Sequence, residues 1–221
     1  MPLSLKGPKE YSLLEDVAQL AASVDTYVQT DAHALRVAEL SRAVARQLGL
    51  SAREAGALGE AALFHDVGKL GLPQDILEKP GRLSPDEINL VRGHTLLGAA
   101  ILLIRGGSEH TLAVEVALNH HERWDGAGYP RRLKGLEIPL LGRIVAVADA
   151  FDALINPRPY KLAWTVPSAL EEIRRQTGSQ FDPWVVEAFL RVVEKEYPHP
   201  HTPWLRERVM LETRAGQFVI E

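Results

Sequence analysis

A chain of 221 residues with a formal charge of −4 has room for one sizeable domain and an appendage, and lacks the basic balance that a broad nucleic-acid face needs. Its apolar and charged fractions, 46% and 24%, belong to an ordinary globular protein and set disorder aside as the default. The chain has no cysteine, which removes disulfides, thiolate nucleophiles and cysteine-based zinc sites together, so any metal must sit on histidine and carboxylate.

The N-terminus, MPLSLKGPKEYSLLEDV, lacks the basic-then-apolar layout of a signal peptide, and no run is expected to be long and apolar enough to span a membrane. The expectation is a cytoplasmic protein with no membrane and no nucleic-acid polymer among its partners. Helical signals then dominate. In DAHALRVAELSRAVARQLG, His33, Val37, Leu40, Val44 and Leu48 recur at helical spacing, and Gly49 supplies a stop. SAREAGALGEAALFHDVG opens with Ser51 and has Glu54 three residues later, a capping box. LSPDEINLVRGHTLLGAAILLIRGG repeats that grammar as one long helix, with Ser84 as cap, Pro85 first, Glu87 third, and Gly106 and Gly107 to end it. IPLLGRIVAVADAFDALI is apolar nearly all round and predicts a buried central helix. FDPWVVEAFLRVVEKEY has Asp182 as cap and Pro183 at its first helical position. Pro- and Gly-bearing loops fall at 71–83, 122–139 and 156–160, and the tail VMLETRAGQFVI predicts a small hairpin. The organisation is an N-terminal lead (1–10), an all-α domain (11–197) and a C-terminal extension (198–221).

Five of the eight histidines stand in or beside these helices: His33, His65, His94, His120 and His121. Each alone reads as a satisfied or solvated histidine sooner than as a ligand, and it is their joint context that points to metal. In HDVGK, His65 and Asp66 end an apolar helix where an unpaired carboxylate is costly to bury, a cost that a metal offsets. Asp66 has two oxygens and can bridge two ions. Lys69 lies one turn beyond His65; an ammonium there suits a phosphate between it and the metals, or a plain helix-end ion pair with Asp66. Asp149, bracketed by Val147, Ala148 and Ala150, reads as a ligand, whereas Asp152 reads equally as a partner for Arg143. Five imidazoles and two carboxylates suffice for two divalent ions about 3.5–4 Å apart, with positions left for water and substrate. That donor set suits iron, manganese, zinc or nickel and does not select among them. Positive groups beside it, Lys69 with Arg158 and Lys161 of NPRPYK, point to a phosphate ester. His110, His199 and His201 read as surface residues.

HDVGK together with HHERWDGAGYP resembles the HD-GYP family, a branch of the HD superfamily of metal-dependent phosphohydrolases. The likeness runs from about residue 11 to residue 196 and includes LPQDILEKPGRLSPDE, GHTLLGAAIL, GRIVAVADAFDAL and FDPWVVEAF in the family's order. It implies an all-α HD-type bundle around a two-metal centre, and hydrolysis of cyclic di-GMP to pGpG and on to GMP by a hydroxide between the metals. It also implies that His33, His65, Asp66 and Asp149 hold one metal, and Asp66, His94, His120 and His121 the other. Lys69 would act beside Asp66 in catalysis, while Lys69, Arg158 and Lys161 would meet substrate phosphate. Asp125, Gly126, Gly128, Tyr129 and Pro130 match the loop for which the family is named, expected to wall a pocket for guanine or ribose. Some members place a glutamate one turn before the first histidine and bind a third metal; Gln29 stands there in this chain, so two metals are expected. Alternatives keep the metals and change the substrate to another cyclic dinucleotide or nucleotide phosphate, or make the domain a sensor or docking module. The expected partners are a cyclic dinucleotide and, for regulation, a second copy of the chain or a regulatory protein.

Overall fold

The computed structural model describes residues 23–24, 32–106, 111–157 and 162–196. Within them the capping and periodicity signals become helices α1 (His33–Gln47), α2 (Ala52–Ala62), α3 (Gln74–Leu77), α4 (Pro85–Arg92), α5 (His94–Gly106), α6 (Thr111–Asn119), α7 (Leu140–Ile155), α8 (Val166–Arg175) and α9 (Pro183–Glu196). Short 3₁₀ turns occupy Val67–Gly71 and Gly135–Glu137, and no strand occurs among the described residues, only an isolated bridge between Thr177 and Phe181. Both capping boxes form: Ser51 and Glu54 close on each other at α2, and Ser84 and Glu87 do so at α4. Asp182 caps α9 by accepting from Trp184 N–H at 2.8 Å. Gly49 takes a left-handed φ of 93°, which ends the turn after α1.

Helix α7 is the hub. It packs on α1, α6, α8 and α9, and buries Ile144, Val145, Val147, Ala148 and Phe151. Val37, Leu40 and Val44 of α1 and Leu58 of α2 complete the core, and Phe151 meets Phe189 of α9 edge to face at 5.0 Å. Helix α5 packs on α6 and on the Val67–Gly71 turn. That last contact needs Gly68, because a Cβ there would lie 1.9 Å from the His94 carbonyl oxygen and 2.6 Å from Gly98 N. The HDVGK turn and the start of α5 are thereby pressed backbone to backbone.

Several expectations change. The long helix from residue 85 is broken at Gly93 into α4 and α5, as a residue without a Cβ allows. His65 and Asp66 lie in the turn after α2 rather than on its last turn. Helices α6 and α8 were not expected; α6 buries Ala113, Val116 and Ala117 on one face but carries the apolar Leu112, Val114 and Leu118 on less buried positions, so its polar contrast is weak, while α8 is announced by its Thr165 cap and Pro167. Taken together, Pro85–Ile104 spans 20 residues and is long and apolar enough to cross a membrane by length and composition, contrary to the sequence reading. The stretch is interrupted at Gly93 and buries His94 and Thr95. The predicted hairpin of the C-terminal extension lies outside the described residues.

Candidate metal centre

The turn after α2 supplies His65 and Asp66, the start of α1 supplies His33, the start of α5 His94, the residues after α6 His120 and His121, and the middle of α7 Asp149. All seven predicted ligands converge. They form two groups, each with ligand atoms within 4.8 Å of one another: His33, His65 and Asp149, and Asp66, His94, His120 and His121. Asp66 touches both. Its Oδ2 is 3.4 Å from His65 Nε2, and its Oδ1 is 3.3 Å from His94 Nε2 and 3.7 Å from His120 Nε2. One carboxylate thus offers an oxygen to each group, the geometry of a bridge.

The imidazoles are oriented from behind. Nδ1 of His65 donates to the Ala62 carbonyl at 2.8 Å, that of His94 to the Val91 carbonyl at 2.7 Å, and that of His120 to the Ala117 carbonyl at 3.1 Å. His33 Nδ1 donates to Asp152 Oδ2 at 2.7 Å. With Nδ1 carrying the proton, Nε2 of His65, His94 and His120 presents its lone pair to the centre, as a metal ligand must, and His33 Nε2, 3.3 Å from Asp149 Oδ1, would do so once a metal displaces its second proton. His33 Nε2, His65 Nε2 and Asp66 Oδ1 are buried without any hydrogen-bond partner. Such orphaned acceptors are costly in a protein interior. A pair of divalent ions would satisfy all three, and the donor set of imidazole and carboxylate fits them.

The electrostatics agree. Burial would raise the Asp66 carboxyl, but Lys69 and His65 outweigh it and hold it well below the usual range. Asp149 is likewise raised by burial and held well below that range by His33 and His65. Burial depresses His120, and burial with the neighbouring His120 depresses His121 further, so both stay neutral. Burial also lowers His33, yet the Asp149 and Asp152 carboxylates outweigh it and raise this group to about 9.

Asp152 stands behind His33 and outside both ligand groups, and its expected partnership with Arg143 does not form. Its carboxylate pairs with Arg36, whose Nε donates to Oδ1 at 2.6 Å and whose Nη2 donates to Oδ2 at 2.9 Å. Arg143 instead donates to the Ile138 carbonyl and pairs with Asp182. Arg36 was missed, although a charged residue three after His33, on an otherwise apolar face, is the signal for it. Glu122 was missed too. It is 3% exposed, and its carboxylate accepts from Arg131 N–H at 2.7 Å and Leu133 N–H at 3.0 Å. Asn119 Oδ1 accepts from the Arg131 guanidinium, tying the same loop to the end of α6.

These contacts fix the Gly-Tyr-Pro loop beside the histidines. A Cβ on Gly128 would lie 2.4 Å from Arg123 N and 2.6 Å from Glu122 Cα, so only glycine fits where the loop folds back. Asp125 accepts from Ala127 N–H at 2.9 Å and takes the Arg123 fork, Nη2 donating at 2.7 Å, so its carboxylate is engaged within the loop. Gly126 turns with a φ of 82°. The Tyr129 ring lies 4.9 Å from that of His121, and burial with the nearby Asp66 and Asp149 pushes its phenol up, so it stays protonated. Pro130 follows through a cis peptide bond. Lys69, on the 3₁₀ turn, pairs its ammonium with Asp66 Oδ2. A cleft of about 290 Å³ opens onto the centre, lined among others by Arg92, His121, Arg123, Tyr129, Asp149 and Gln180. Arg158, Lys161 and Gln29 lie outside the described residues, as do His110, His199 and His201.

Fold and site together define a helical domain with two adjoining histidine–carboxylate groups, each able to hold a metal ion, that meet at Asp66. The chain belongs to the HD domain family, whose model matches residues 15–185. A curated relative, the "Cyclic di-GMP phosphodiesterase" of Thermotoga maritima, is 44% identical over 84% of this chain and 50% of its own length. The "Cyclic di-GMP phosphodiesterase response regulator RpfG" of Xanthomonas campestris is 46% identical over 86% of this chain and 46% of its own. The chain therefore spans about half the length of these curated relatives. Among solved structures, that of a Vibrio cholerae cyclic GMP-AMP specific phosphodiesterase (V-cGAP3) shares the fold, with a TM-score of 0.62 at 23% identity over 88% of this chain and 53% of that one.

Proposed function

We propose that this domain is a metal-dependent phosphodiesterase that opens a cyclic dinucleotide, cyclic di-GMP first, to the linear dinucleotide and on to mononucleotide. One observation carries this: two groups of ligands with bare Nε2 atoms, joined by Asp66, at the floor of a cleft. The names of the two curated relatives support cyclic di-GMP as the substrate.

His33, His65, Asp66 and Asp149 would hold one ion, and Asp66, His94, His120 and His121 the other, with iron or manganese before zinc or nickel. Bound there, a metal pair supplies Lewis acidity toward a phosphoryl oxygen and acidifies water toward a pKa of about 7. The chain's residues do the rest. Carbonyls of Ala62, Val91 and Ala117 hold the imidazoles in one tautomer, so the ligands do not reorganise during turnover. Lys69 keeps an ammonium at the bridging carboxylate, where it attracts a phosphate and offsets negative charge as it builds. Tyr129, kept protonated, has an O–H to donate at the cleft wall. Arg158 and Lys161 would add charge for the phosphates.

The test is turnover of cyclic di-GMP by protein supplied anaerobically with Fe²⁺, or with Mn²⁺, beside an Asp66→Ala control. Cyclic GMP-AMP and cyclic di-AMP serve as comparison substrates. Metal-dependent product that disappears in the control supports the proposal. Protein that holds two ions per chain and cleaves none of the three refutes it and leaves the sensor reading.

A further inference from the structure

Arg92 is the last residue of α4 and was assigned no role by the sequence. Its guanidinium lies over the Tyr129 ring, 5.3 Å from the centroid, and it lines the cleft with His121, Arg123, Ala146, Asp149 and Gln180. The other arginine there, Arg123, is already neutralised: its fork is on Asp125 and its Nη1 donates to Gln180 Oε1 at 3.1 Å. Arg92 has no carboxylate partner among the described residues. It is therefore a cation held by an aromatic face, with its planar donors left for whatever enters.

A guanidinium in such a place meets either a phosphate or a base edge. A phosphate subsite gathers positive groups. Here the other arginine of the cleft is engaged by Asp125, the remaining lining includes a tyrosine, an amide and small alanines, and the Lys69 ammonium is paired with Asp66. An aromatic, an amide and an unpaired fork suit a purine lying along the wall. Guanine presents two acceptors, O6 and N7, on the edge that a guanidinium can span; adenine replaces one with a donor N6–H₂, which faces the fork donor to donor. At about 290 Å³ the cleft is small for a complete cyclic dinucleotide and suits one nucleotide of it.

We propose that Arg92 is a specificity-determining residue that donates two N–H bonds to O6 and N7 of one guanine, so that this domain selects guanine over adenine nucleotides. The inference deepens the phosphodiesterase reading and rests on it for the orientation of the ligand, with the phosphate at the metals and the base at Arg92. A good bidentate contact of this kind is worth about 10- to 100-fold in discrimination.

The test is a calorimetric titration of GMP and of AMP into Mn²⁺-loaded protein, which reads base preference without turnover. Wild-type protein is expected to prefer GMP. Arg92→Ala and Arg92→Lys should lose the preference, the lysine keeping the charge but lacking the fork. Arg92→Gln should move it toward AMP, because an amide pairs with N6 and N7 of adenine. Equal affinity of the wild type for the two nucleotides would overturn the inference. So would variants that keep the preference, or that weaken both nucleotides alike, as a phosphate contact would. Turnover of cyclic di-GMP is scored separately. Activity with an Arg92-independent GMP preference sinks this inference alone, and an Arg92-dependent preference without turnover sinks the phosphodiesterase reading alone.

Discussion

Replacing Asp152 with asparagine removes one charge from behind His33 and changes little in volume. In the wild type, Asp152 is 3% exposed and receives four hydrogen bonds: from His33 Nδ1 at 2.7 Å, from Arg36 at 2.6 and 2.9 Å, and from Asn156 Nδ2 at 2.9 Å. The amide keeps one acceptor oxygen, so Arg36, itself 5% exposed, loses its ion pair with the Asp152 carboxylate inside the protein. Breaking a buried ion pair by removing one partner costs about 3–5 kcal/mol. The amide NH₂ can also face His33 Nδ1, which then becomes an acceptor, and the proton moves to Nε2 where a metal should bind. Loss of such a supporting carboxylate weakens metal affinity about 10- to 100-fold. The assay is paired: denaturant unfolding of chelator-treated protein for stability, and metal titration with both sites followed separately. Asp152→Asn should lose stability by that amount and bind one ion weakly while the ion on His94, His120 and His121 stays tight. A variant that unfolds within about 1 kcal/mol of wild type and binds both ions unchanged would refute the assignment of Asp152 as the group that orients His33.

Other outcomes follow from the same contacts. Gly68→Ala would place its Cβ 1.9 Å from the His94 carbonyl oxygen, so it should cost at least about 2 kcal/mol in chemical unfolding and weaken the group containing His94 more than the His33 group. Glu122→Gln keeps the shape but loses charge-assisted acceptance from Arg131 and Leu133 N–H, which should cost about 1–3 kcal/mol and lower turnover as the Gly-Tyr-Pro loop loosens. For pH, His33 is raised from 6.5 to about 9 in the folded metal-free protein. Its stabilisation is thus fully present below pH 6.5 and is lost as pH rises through about 9. Melting temperatures of chelator-treated protein should fall across that window because of this group, and the fall should be absent once metal excludes the proton from His33.

What was legible in the sequence was what neighbours in sequence decide. The boxes Ser51–Glu54 and Ser84–Glu87 close within one turn, and each formed. His65 with Asp66 stood out as a costly polar pair at the end of an apolar helix, and His120 with His121 as adjacent histidines ahead of a Gly- and Pro-bearing loop, and those same residues meet at the centre. Arg36 and Asp152 are 116 residues apart, so nothing local tells that Asp152 turns to Arg36 rather than to Arg143, nine residues away on its own helix. The break at Gly93 was hidden because its flanks continue the helical pattern on both sides, and Gly93 itself keeps helical angles, with φ −61° and ψ −17°. Helix α6 gave little signal because Leu112, Val114 and Leu118 put apolar side chains on its less buried positions too, leaving little polar contrast to mark a period. Arg92 was hidden for the opposite reason: an arginine at a helix end reads as solvated until Tyr129, 37 residues later, is seen beneath it.

The most direct measurement on the centre is electron paramagnetic resonance of Mn²⁺-loaded protein, with metal content determined on the same sample. Two ions per chain giving an exchange-coupled pair signal are expected for wild type, and Asp66→Ala should abolish the coupling. A single ion per chain, or two ions with independent spectra, would contradict a centre joined through Asp66.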